Sequence, residues 1–163
     1  MDPVVADLLK GPPGADAASR IAWLKKTHYA VASSAGQPSV AQMAEPLRQA
    51  IEVAEKLEKS PDSEKPGAEA VLLSLLVKVQ GLALYAYLDE LNKMRNTVAA
   101  EAAKLKAGSP ERKKAETLQK AYEQALDGLA RAYNGLRSGN FEEMKAIGPT
   151  MEQVRKVADE LRK

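Results

Sequence analysis

The chain has no cysteine, a single histidine, a single tryptophan and a single phenylalanine. Without thiols it has no disulfide framework, no thiolate nucleophile and no thiolate metal ligand. One histidine cannot supply the pair of Glu-x-x-His motifs that a di-iron carboxylate bundle requires. Aromatic residues make up only 4% of the chain, so the core must be built from Ala, Leu, Val and Met, which suit closely packed helices. An excess of one charge is also missing. The net charge is +2, which predicts no concentrated basic field and excludes nucleic acid as a partner. No segment alternates apolar and polar residues with period two over a useful length, so no strands are expected. The only clustered glycines near the start, GPPG at 11–14, precede no strand and lack the Lys-Ser/Thr of a phosphate-binding loop. The opening MDPVVADLLKGPPGADA has an early acid and only a short apolar run. It does not read as a secretion signal, and a soluble protein of the cytoplasm is expected.

Helix punctuation is plentiful. GPPG separates a short leading segment, residues 1–14, which can dock or move freely, from a single helical-bundle domain over 15–163. A first long helix is expected from Ala15 to Ser34, with Asp16 near its start and Ile21, Leu24, His28 and Val31 on one face; Gly36, Gln37 and Pro38 end it. SVAQ at 39–42 has capping-box spacing, with Ser39 as cap. A stripe from Val40 to Leu57 follows, and Pro46 either kinks that helix or moves its start to Glu45. After SPDSEKPG nothing but Gly81 breaks the pattern before Gly108, which predicts a helix of roughly 60 Å at about 1.5 Å per residue. GSPER at 108–112 combines a Gly stop, a Ser cap, Pro in the first helical position and Glu in the first turn. The next helix runs to Ser138, Gly139 and Asn140 repeat the stop and cap, Gly148-Pro149 breaks the following turn, and a last helix carries Met151, Val154, Ala158 and Leu161.

The expected fold is therefore all-α: a bundle of four long helices plus one or two short ones, with a long antiparallel helical hairpin. Leu84, Leu88, Leu91, Val98, Ala102 and Leu105 face Ala115, Leu118, Tyr122, Ala125, Leu129, Ala132 and Leu136 at matching spacing. Residues 71–88 are apolar at 14 of 18 positions, and a helix greasy on all sides is expected to be wrapped by its neighbours. A membrane span is disfavoured because Gln80 and Gly81 sit in the middle of the run and the helix continues amphipathically beyond it.

His28 is followed by Tyr29, Ala30, Val31, Ala32, Ser33, Ser34 and Ala35. That small-residue tail resembles the histidine phosphotransfer family, which relays phosphate through one exposed helical histidine. The resemblance is confined to residues 28–36, and it fails where the chemistry lies. Val31 stands where the family's motif has a charge-neutralising Lys, and Ala32 where it has Gly. His28 is instead expected to be partly buried beside Ile21 and Leu24. SGNFEEM at 138–144 is similar to the inter-helix turn of tetratricopeptide repeats, but Gly128 and Gly135 replace the large residues of the preceding helix and no second copy follows. The adjacent carboxylates Asp89-Glu90 and Glu142-Glu143 diverge around a helix, so no metal site, catalytic centre or cofactor is expected.

What remains is a non-catalytic module that binds another protein or itself, as adaptor, scaffold or assembly subunit. A hairpin partly open along its seam would receive a partner helix on Leu88, Leu91, Tyr122 and Leu129; packing within the chain is the alternative for each. The basic hairpin tip, Lys104, Lys106, Arg112, Lys113 and Lys114 with Lys120 nearby, is either a solvated helix end kept soluble by its lysines or a contact that would meet an acidic protein ahead of a membrane surface. The alternative is a ligand-sensing bundle whose apolar pocket draws on Trp23, His28, Tyr85 and Tyr87. The third reading is phosphotransfer through His28.

Overall fold

The computed structural model describes residues 2–14, 16–34, 38–139 and 141–162. Their elements are α1 (Pro3–Lys10), α2 (Ala17–Ser33), α3 (Pro38–Ala41), α4 (Ala44–Lys59), α5 (Lys65–Lys104), α6 (Pro110–Ser138), a 3₁₀ turn (Phe141–Ala146) and α7 (Ile147–Arg162). No strand occurs among the described residues, and the fold is the all-α bundle that the periodicity predicts. The backbone groups into two compact units, Met1–Ala86 and Tyr87–Lys163.

In the first unit α2 is the hub. Asp16 caps it, accepting from the Ser19 amide at 2.8 Å. Leu24 and Val31 are fully buried from this helix, and Thr27 is buried with its hydroxyl donating to the Trp23 carbonyl. Three ion pairs radiate from α2: Lys26 to Asp7 of α1, Lys25 to Glu55 of α4, and Arg20 to Glu69 of α5. The leading segment is held down. Asp2 caps α1, and Val5 and Leu8 are buried. Met43, Leu47, Ala50 and Ala54 pack inward from α4, while Leu72, Val79, Ala83 and Leu84 pack inward from α5. Each fully buried Leu contributes on the order of 2 kcal/mol from apolar area removed from water.

In the second unit the end of α5 and α6 form the expected hairpin. Ser109 accepts from the Arg112 amide at 3.2 Å, Pro110 opens α6, and Gly108 takes the left-handed conformation at φ 78°. Gly139, also left-handed, closes α6 through its amide. The Ser109 cap is part-buried. Ser109→Ala should therefore cost about 1 kcal/mol, read as a lower urea midpoint with an unchanged slope.

Two local expectations are corrected. Ser39 does not cap the helix that follows: it lies inside α3, a single turn, and α4 begins separately at Ala44 with Met43 as its cap. Pro46 falls in the first turn of α4, where its missing amide costs nothing, so the later start holds rather than the kink. Gly148-Pro149 breaks nothing. Both lie in the first turn of α7, for the same reason. The expected helix start at Ala15, the Gly36-Gln37 stop and the Asn140 cap lie outside the described residues.

The apolar stretch of α5 differs most from expectation. It is the one helix, among the described residues, long and apolar enough to cross a membrane, yet only 28% of its most apolar window is buried. Val71 is 51% exposed, Leu73 53% and Tyr85 61%. An even distribution of apolar side chains marks no inner face, so the pattern that suggested full wrapping could not show which sides stay open.

Candidate functional site

The expected contact residues divide by burial. Leu91, Tyr122 and Leu129 are buried within the second unit and Leu88 is half-buried. Tyr87 and Tyr122 lie close enough for their ionisations to interact. The side chains of Leu91, Tyr122 and Leu129 are thus already covered within the unit, where α6 also packs against α7 and the 3₁₀ turn, so an incoming helix would have to displace existing contacts.

The hairpin tip is accessible. Lys104, Lys106, Lys113 and Lys114 are exposed and Arg112 is half-buried. Part of its charge is answered locally: Lys104 pairs with Glu101 at 2.7 Å, and Arg112 pairs with Glu116 at 2.9 Å and donates to the Leu105 carbonyl. Lys106, Lys113 and Lys114 have no ion-pair partner among the described residues. With Glu111 exposed in the same turn, these three cations make a modest positive patch.

In the first unit, Val71, Lys78 and Tyr85 recur at heptad spacing on α5 and share one face, all three exposed. Leu73 opens on another side of the helix. Sequence reasoning missed this patch, since nothing in VLLSLLVKVQ distinguishes Leu73 from the buried Leu72.

His28 is half-buried on α2, between buried Leu24 and Val31. It faces α4 closely enough for its charge to act on Glu45. That carboxyl is held at about 2, chiefly by hydrogen bonds from Arg48 and Gln49 and only lastly by His28. The residues offered for an apolar pocket do not assemble as expected. Tyr85 is exposed, Tyr87 belongs to the other unit, and Trp23 is buried where it lines a groove beside α1. Among the described residues no cluster of three or more His, Cys, Asp or Glu could hold a metal ion. Asp89 is paired with Lys93 at 2.6 Å.

The geometry defines an all-α bundle of two helical units with exposed apolar and basic patches. Comparison with family models, curated proteins and solved structures found no match.

Proposed function

We propose that this protein is a non-catalytic helical-bundle interaction module, an adaptor, scaffold or assembly subunit that binds another protein or a second copy of itself. The observation that carries this reading is the exposure of Val71, Leu73 and Tyr85 on α5, large apolar side chains left in water while Leu72, Val79, Ala83 and Leu84 of the same helix are buried. Val71 and Tyr85 share a face with Lys78 between them, Leu73 opens on another side, and large apolar side chains left in water are candidates for contact with a partner. The partner chemistry it suits is an amphipathic helix, with the lysines of the hairpin tip as a separate contact for an acidic surface. A cytoplasmic, soluble setting fits Lys78, Gln80 and Gly81 within the apolar run, which weigh against a membrane span.

The test is a triple variant, Val71→Ser, Leu73→Ser and Tyr85→Ser. All three sites are exposed, so the thermal unfolding midpoint should move little. Affinity capture from the native host, or the light-scattering mass if the partner is a second copy, should lose the bound protein in the variant and keep it in the wild type. An identical retained set and an identical mass in both would refute the reading. Solubility only in detergent would favour lipid contact instead.

A further inference from the structure

We propose that the exposed face of α5 is covered by a second copy of this chain, the two α5 helices packing antiparallel through Lys78, Leu82, Tyr85 and Asp89. The inference rests on the interaction-module reading and names the occupant of that face. All four residues belong to one unbroken helix, Lys65–Lys104. They follow one another at steps of four, three and four, the spacing that keeps a seam on one side of a helix. Lys78, Tyr85 and Asp89 are exposed and Leu82 is half-buried. Along the stripe the order is cation, apolar, apolar, anion, which is its own complement when reversed. In an antiparallel pair with its two-fold axis midway between Leu82 and Tyr85, each Lys78 meets the partner's Asp89. Each Leu82 likewise meets the partner's Tyr85.

Charge selects this arrangement over its competitors. A parallel pair in register would set Lys78 on Lys78 and Asp89 on Asp89. Sliding the antiparallel pair by one heptad sets Lys78 against Leu82 and Asp89 against Val71. Sliding it the other way sets Lys78 against Asn96 and Asp89 against Tyr85. Only the first register answers both charges in the seam. Lys78 has no ion-pair partner among the described residues, so its charge is available. Asp89 pairs with Lys93 at 2.6 Å, a surface contact on a half-exposed carboxylate that can accept from a second cation. Beyond the central four, Leu75 and Val71 lie opposite Asn92 and Asn96, so the apolar contact is short. It is smaller than a standard interface of about 800 Å² per partner, and a dissociation constant on the order of 100 μM is expected.

Sedimentation equilibrium of the full-length protein, up to about 1 mM, reads the association. The wild type should dimerise. Lys78→Glu and Asp89→Lys should each weaken the dimer at least about tenfold, since each sets like charges together in both symmetric contacts. An equimolar mixture of the two variants should recover association to within about threefold of the wild type, because the altered side chains then face each other as an ion pair. Lys113→Glu, on α6, should leave association unchanged. Both altered positions are exposed, and the circular dichroism of each single variant should match the wild type. A monomeric wild type, a single variant that dimerises as well as the wild type, or a mixture that stays monomeric would each overturn the proposal. A monomeric wild type that captures a different protein through Val71, Leu73 and Tyr85 would overturn this inference alone and leave the interaction module standing. A monomeric wild type that floats with phosphatidylcholine vesicles would give the face to lipid instead.

Discussion

Leu129→Ala is expected to lower the unfolding free energy by about 3 kcal/mol, the usual cost of deleting a buried Leu whose surroundings relax only in part. Leu129 is fully buried on α6, in line with Tyr122, Ala125, Ala132 and Leu136, all of them buried. Urea denaturation with an unchanged slope is the measurement. The matched control is Leu73→Ala on α5. It removes the same atoms from a side chain more than half exposed, and it should cost less than about 0.5 kcal/mol. The contrast bears directly on the hairpin seam. A cost at Leu129 below about 1 kcal/mol would mean that the seam stands open to receive a partner. A cost near 3 kcal/mol means that Leu129 is already satisfied within its own unit, and that contacts with other molecules must be sought on the exposed patches.

The second large effect is alkaline destabilisation through Tyr87. Burial pushes its phenol up to about 12, with the nearby Glu90 and Tyr122 adding smaller contributions in the same direction. The folded pKa is raised above the ordinary value of about 10, so the native state resists an ionisation that the unfolded chain undergoes freely. The stability this group supports is therefore intact below pH 10 and is lost as the pH climbs from about 10 toward 12. At the upper end the loss should approach about 2 kcal/mol, taking about 1.4 kcal/mol per pKa unit and allowing for relaxation. Tyr87→Phe should flatten that part of the pH–stability curve, and ultraviolet absorbance should show one phenol ionising late in the wild type. Equal alkaline loss in wild type and Tyr87→Phe would show that other groups govern the effect.

The elements were legible because their ends are written in residues with strong local preferences. Asp16, Ser109 and Gly139 each do in the structure what their side chains, or the lack of one, predict. Ser39 misled because capping-box spacing is a local pattern, and the chain there makes one turn and restarts. Gly148-Pro149 misled because proline reads as a break at any position, while the first turn of a helix accepts it. The candidate sites were less legible. The seam residues were found as a stripe, but a stripe does not reveal whether its partner already lies within the same chain. The exposed face of α5 left no trace at all, because a run of apolar residues carries no amphipathic signal to orient it. The groove beside Trp23 depends on how a short leading helix docks on α2, a tertiary outcome that GPPG announces only as a turn.

α5 runs without interruption through Ala86 and Tyr87, the border between the two compact units. Amide groups just past that border donate to carbonyls one turn before it, as in any continuous α-helix. Cutting the polypeptide there would strip roughly four donors from one fragment and roughly four acceptors from the other. Neither piece would inherit a finished end, since the residues on either side of the cut, Ala86 and Tyr87, neither cap nor stop a helix. Compactness and autonomy are therefore different properties in this molecule: its halves can be distinguished by eye but were never built to be excised.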